Sequence, residues 1–273
     1  MQLTETYEWR GRAVRWGRDG SGPPLVFCHG TPWSSRLWEP FAAALRSDFT
    51  TYLWDMPGYG ESSKAPEHAV SLDVQGELFA DLLAHWRLTE PPHVVVHDYG
   101  GAVSLRAQLL HGTAYASLAL VDVVALAPWG SEFFRLVRDN ADVFAALPAP
   151  MHEGALRGYI ADASHRGLTP EQSDLLAEPW LDDVGRAAFY RQIAQADEAY
   201  TDEIEPRYGE LDLPVLVVWG RDDGPIPVDR AYRLADLIPG ARLEIIEEAG
   251  HLIQLDQPVR LATTLHRWLA SRR

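Results

Sequence analysis

The stretch Val94-Val95-Val96-His97-Asp98-Tyr99-Gly100-Gly101 decides how the rest of the chain is read. An apolar run that ends in two glycines spells a buried strand turning sharply into a helix, and such a turn lifts the residue at its apex above the edge of a sheet. That apex residue is Asp98, a carboxylate. Outward from it, strand-like runs recur at 25–29, 50–55, 93–98, 117–123, 214–220 and 241–247, mostly separated by helical periodicity such as 71–87 and 100–111. Apolar strands alternating with amphipathic helices imply an α/β fold, with a mostly parallel twisted sheet covered on both faces. Ahead of them, 5–9 and 12–16 alternate around Gly11 as a short antiparallel hairpin, and Gly17 to Pro24 carries loop chemistry. After Gly220 a helix over 228–238 and a last helix with Pro258 near its start complete the pattern.

The alternation stops between Pro128 and about Arg207, where helical patterns continue without a convincing strand. The chain therefore divides into a core of residues 1–127 and 208–273 and a helical cap, 128–207, inserted after the sixth strand. Open parallel sheets bind ligands beyond the carboxyl ends of their strands. A cap leaving the 117–123 strand would roof a pocket over Asp98.

Composition narrows the partners. With 273 residues, 47% of them hydrophobic, there is ample material for a buried core. A net charge of -15 and a pI near 5.0 speak against a nucleic-acid surface, which needs clustered Lys and Arg. The single cysteine, Cys28, sits in an apolar run as a small hydrophobe, and it excludes an internal disulfide or a multi-cysteine metal site. Met1 to Thr6 lacks a signal-peptide pattern, and no apolar stretch reaches the ~18 residues of a membrane span. A cytoplasmic location, no membrane association, no metal and no cofactor are expected, and a homodimer is the assembly to test.

Three residues fall at strand ends in the order Asp98, Asp223, His251. That order of nucleophile, acid and base, on this strand pattern, resembles the α/β-hydrolase fold. His29-Gly30-Thr31-Pro32 is similar to the family's HGxP loop, and Asp55-Met56-Pro57-Gly58-Tyr59-Gly60-Glu61-Ser62 to its D-x-x-G-x-G-x-S turn. Gly220-Arg221-Asp222-Asp223-Gly224-Pro225-Ile226-Pro227 resembles the GxxDxxxP acid loop, which selects Asp223 over Asp222, and Gly250-His251 supplies the base. The resemblance implies an oxyanion hole from the backbone amides of Thr31 and Tyr99. Asp122 also ends a strand, and some relatives draw their acid from there. His97 stands too close to Asp98 in sequence to serve readily as the base.

A carboxylate at the apex, where an esterase would carry serine, resembles the branch of epoxide hydrolases and haloalkane dehalogenases. The chemistry agrees. Attack by serine on a saturated carbon would leave an ether, whereas attack by Asp98 leaves an ester that water can hydrolyse. The expected substrate is a small apolar electrophile. Dehalogenases typically carry tryptophan where Tyr99 stands and often asparagine where Thr31 stands. Epoxide hydrolases use cap tyrosines as proton donors, for which Tyr190 and Tyr159 are candidates. Val96-His97-Asp98 and Ser34-Ser35-Arg36-Leu37-Trp38 read closer to dehalogenases. On balance the sequence favours an epoxide hydrolase giving vicinal diols, with a haloalkane dehalogenase second and a non-turnover binding or sensor protein third. Trp33 and Trp129 are candidates for the pocket wall, although ten tryptophans in one chain mean that several are core.

Overall fold

The computed structural model describes residues 1–272. Eight strands form one sheet in the order β1-β2-β4-β3-β5-β6-β7-β8: β1 (Glu5–Trp9), β2 (Arg12–Gly20), β3 (Pro24–Cys28), β4 (Thr50–Trp54), β5 (His93–Asp98), β6 (Ser117–Val123), β7 (Val215–Gly220) and β8 (Arg242–Ile246). From β4 to β8 every neighbouring pair is parallel, while β1–β2 and β2–β4 are antiparallel. β2 continues through residues that read as loop in the sequence. Gly17 to Gly20 pair with β4, Gly17 opposite Leu53 and Gly20 opposite Thr50, so a neighbouring strand supplies the order that the glycines lack on their own.

The two-residue period of the strands sorts the core into two layers. Leu25, Phe27, Val95, Val121 and Val218 face one side, where α1 (Glu39–Leu45) and the C-terminal α12 (Pro258–Ala270) cover them. Val26, Cys28, Val94, Val96, Leu120 and Val217 face the other, under α2 (Leu72–Trp86), α3 (Tyr99–His111) and α10 (Asp229–Leu237). Each fully buried aliphatic side chain contributes roughly 1.5–3 kcal/mol relative to exposure. These layers hold the strand ends in place.

Between β6 and β7 lie only helices and turns: α4 (Glu132–Asp139), α5 (Ala141–Ala145), α6 (Ala149–Asp162), α7 (Pro170–Ala177), α8 (Asp183–Ala194) and α9 (Ala199–Asp202), with 3-10 turns at Glu178–Trp180 and Glu205–Glu210. Their starts are chemically marked. Ser131, Thr169 and Asp182 each accept a first-turn amide at the N-termini of α4, α7 and α8, and Thr169 forms a reciprocal capping box with Gln172. A four-residue helix, α11 (Ile253–Asp256), follows the His251 loop. Among the described residues no helix is long and apolar enough to cross a membrane.

Candidate active site

β5 delivers Asp98 through a sharp turn: its backbone sits at φ 51°, ψ -123°, after which α3 begins at once. A left-handed φ is costly for a residue with a Cβ and persists where surrounding structure imposes it. The imposing structure is close packing. A Cβ on Gly100 would lie 2.8 Å from the carbonyl oxygens of Cys28 and His29, and one on Gly30 would lie 2.2 Å from Asp98 Oδ1. Only glycine allows α3 and the Gly30–Thr31 loop to approach the carboxylate from opposite sides.

That approach puts the Thr31 amide 2.6 Å from Asp98 Oδ1, to which it donates. The Tyr99 amide, the other donor expected for an oxyanion, makes no hydrogen bond to the Asp98 side chain. The second carboxylate oxygen, Oδ2, lies 3.3 Å from His251 Nε2. On its far side the imidazole places Nδ1 2.9 Å from Asp223 Oδ2, while Asp223 Oδ1 accepts from the Ile226 amide at 2.8 Å. All three side chains are buried. Burial opposes a charged His251, but Asp223 and Asp98 together outweigh it and hold its pKa well above the ordinary value.

The two candidate acids are separated by geometry. Along the β5–β6 pair His97 faces Val121 and Asp98 faces Val123, so Asp122 is an extra residue, a bulge with φ 45°. Its Oδ1 accepts from the Gly220 amide at 2.8 Å, and its Oδ2 is buried without a hydrogen-bond partner. Burial, reinforced by the nearby Asp223 charge, pushes the Asp122 pKa well above the carboxylate range. His251 is thus oriented by Asp223. His97 donates through one ring nitrogen to the His251 carbonyl, 2.9 Å away, and burial drives its pKa well down, so it props the base loop as a neutral ring.

A tight cavity lies over Asp98, walled by Thr31, Trp33, Tyr99, Trp129, Phe134, Tyr159 and His251, with Asp162, Ala163, Pro225 and Ile226 completing it. Its volume is about 20 Å³, room for one or two waters as closed here. A larger surface depression of about 690 Å³ beside Glu77 and Arg87 is open to solvent and shares none of these groups. The indole N–H of Trp33 and the hydroxyl of Tyr99 are both buried without a hydrogen-bond partner. Trp129 instead spends its N–H on Thr201 Oγ1 at 3.1 Å and presents its ring to Tyr99, with centroids 5.7 Å apart. Tyr159 is half-buried, and burial with the Asp98 charge nearby raises its pKa.

Tyr190 corrects an expectation, because it does not line the cavity. Its hydroxyl lies 2.9 Å from His152 Nδ1, whose other nitrogen is tied to the Trp180 carbonyl, also at 2.9 Å. Its ring packs against Phe189 and Phe144. The helical turn that presents Tyr190 to α6 presents Gln192 to the core instead. Gln192, which nothing in the sequence singled out, accepts from both Thr31 Oγ1 at 2.7 Å and Tyr59 Oη at 3.0 Å. Phe134 and Ile226 also line the wall, and no sequence motif marks Phe134. Ile226 is marked in the sequence only by its place inside the Gly220–Pro227 acid loop.

Residues 23–258 match the α/β hydrolase fold family. An α/β hydrolase fold protein from Burkholderia ambifaria superposes with a TM-score of 0.94 at 41% identity, covering 97% of each chain. A fluoroacetate dehalogenase from a Burkholderia species is 31% identical over 74% of this chain and 72% of its own length. The dihydrolipoyllysine-residue acetyltransferase component of the acetoin cleaving system of Pseudomonas putida is 29% identical over 90% of this chain, which spans 64% of that longer protein. With its strand order, its apex turn and these similarities, the chain belongs to the α/β-hydrolase fold family.

Proposed function

We propose that the protein hydrolyses a small, neutral carbon–halogen compound through a covalent ester on Asp98. The observation that carries this reading is the pair of buried, partnerless donors, Trp33 N–H and Tyr99 O–H, on residues that wall the same cavity as a carboxylate nucleophile. Buried donors left unmade are costly, and a departing anion would satisfy them. Asp98 Oδ2 attacks the carbon, the carbon–halogen bond breaks, and the halide leaves with the bonding pair. Water then adds to the carboxyl carbon of the ester while His251 Nε2 takes its proton. Oδ1, already on the Thr31 amide, carries the resulting oxyanion. Collapse breaks the carboxyl–oxygen bond, the alkoxide recovers a proton from His251 to leave as an alcohol, and the water's second proton, left on the Asp98 carboxyl, passes to solvent and restores the carboxylate.

The relative's name, fluoroacetate dehalogenase, supports the bond type but not its charge. The wall holds no Lys or Arg, and it includes the carboxylates of Asp98 and Asp162. An anionic substrate would meet these carboxylates with no Lys or Arg in the wall to offset them. Epoxide opening is the second reading, favoured by Tyr159, a wall residue close to the Asp98 charge whose hydroxyl could protonate a ring oxygen. The two-tyrosine arrangement expected for that reaction is not assembled, because Tyr190 is committed to His152.

The test is His251→Ala, incubated separately with short bromoalkanes and with small epoxides. Intact mass should show an alkyl adduct, mapped to Asp98, from the bromoalkanes together with stoichiometric bromide. An adduct from epoxides alone, with wild-type diol formation lost in Tyr159→Phe, would transfer the proposal to the second reading. No adduct from either pool removes the covalent mechanism.

A further inference from the structure

The catalytic base is held from the cap side as well as from the sheet. Its two chain neighbours both donate backbone hydrogen bonds away from the core: Gly250 N to Asp256 Oδ2 at 2.8 Å, and Leu252 N to the carbonyl of Ala163 at 2.9 Å. Asp256, on α11 and 1% exposed, receives three more donors, all from the segment that follows α6. His165 N donates to Oδ2 at 2.9 Å, and Ser164 Oγ and Arg166 N donate to Oδ1 at 2.6 and 3.2 Å. The two backbones touch. A Cβ on Gly250 would sit 2.8 Å from His165 N and 2.9 Å from Ala163 O. Just upstream, the same helix and its cap place Tyr159, Asp162 and Ala163 in the cavity wall. The base loop and one wall of the cavity are therefore a single hydrogen-bonded unit, with one carboxylate at its centre.

We propose that Asp256 is a positioning residue of the second half-reaction, locking the His251 loop to the cap wall so that Nε2 meets the water that attacks the Asp98 ester. The inference rests on the ester chemistry of Asp98 proposed above. Its selectivity follows from what each step requires. Alkylation uses the Asp98 carboxylate and donors to the leaving group, none of which hangs from Asp256. Hydrolysis needs His251 within hydrogen-bond reach of a water, and misplacement by about 1 Å costs on the order of 10²-fold. A carboxylate is required because all four partners are donors. An asparagine would turn an N–H towards two of them.

The experiment compares the full-length wild type, Asp256→Asn, Ser164→Ala and His251→Ala with 1-bromopropane, following bromide release before the steady state and adduct by rapid-quench intact mass. Asp256→Asn should keep the wild-type rate of the first bromide, accumulate the propyl adduct, and turn over about 10- to 100-fold more slowly. Ser164→Ala, which removes one of the four donors at a half-buried position, should show the same pattern at about 2- to 5-fold. It keeps the test open should Asp256→Asn fail to fold. Loss of first-bromide rate and turnover in step without adduct, or unchanged turnover, in the folded variants overturns the proposal. An adduct in His251→Ala but in neither other variant overturns it alone, whereas no adduct in His251→Ala removes the ester chemistry and this proposal with it.

Discussion

On the sheet, side chains from β5, the loop after β7 and the loop after β8 form a chain of contacts no longer than 3.3 Å, from Asp98 through His251 to Asp223. In the cap, two tyrosines on neighbouring helices part company, Tyr159 joining the cavity wall and Tyr190 turning to His152. The difference lies in what positions each group. Strand ends and glycine-permitted turns place the first set, and a parallel sheet offers few alternatives for where a strand ends. Cap aromatics are placed by packing, where a rotation of one residue along a helix changes the face by about 100°. The backbone of the core thus places the candidate triad, and the packing of the cap places the cavity wall above it.

The largest effect that would break this division is at the apex. Asp98→Asn keeps the shape and the Thr31 contact but removes the nucleophile. Halide release should fall by at least about 10⁴-fold while thermal unfolding changes little. Retention of more than a small fraction of activity would relocate the chemistry. Next in size is Asp223→Asn, expected to lower turnover by about 10²- to 10⁴-fold. Its pH profile carries the sign of the argument. Asp223 raises the pKa of His251, and the neutral imidazole is the base, so turnover rises with pH through that value. Removing the carboxylate should move the acid limb to lower pH; a shift to higher pH would contradict the assignment. Stability runs the other way. The charged ring contributes most below its ordinary value of about 6.5, and that contribution fades as pH rises through the raised one. The smallest effect should come from Tyr190→Phe, with turnover within about twofold of wild type and stability lower by about 1 kcal/mol for the lost bond to His152. A large kinetic effect there would return Tyr190 to the site.

These contrasts track what the sequence makes legible. Asp98, Asp223 and His251 announce themselves because each sits at a fixed offset from glycines that the turns require, as in Gly220-Arg221-Asp222-Asp223. Residues 214–220 and 117–123 read as strands from apolar content alone, and the strands observed are Val215–Gly220 and Ser117–Val123. Gly17–Gly20 does not read as strand, since its order comes from pairing with β4, thirty residues further on. Gln192 is silent for a similar reason. Its significance depends on Thr31 and Tyr59 being folded beneath it. The choice between Asp122 and Asp223 also needs three dimensions, because a one-residue bulge decides which carboxylate reaches the imidazole.

The bulged Asp122 has a consequence for how charge moves through a turnover. Burial and the neighbouring Asp223 push its pKa well above the carboxylate range, which favours its uncharged form and limits the negative charge packed around His251. In the proposed first step that negative charge passes from Asp98 onto the departing halide, where Trp33 and Tyr99 stand. Once the halide diffuses away, His251 has lost one of the two carboxylates that raise its pKa, and its neutral form, the one able to take a proton from water, is favoured. In the proposed sequence, alkylation of Asp98 itself thus shifts His251 towards the neutral base that the second step needs.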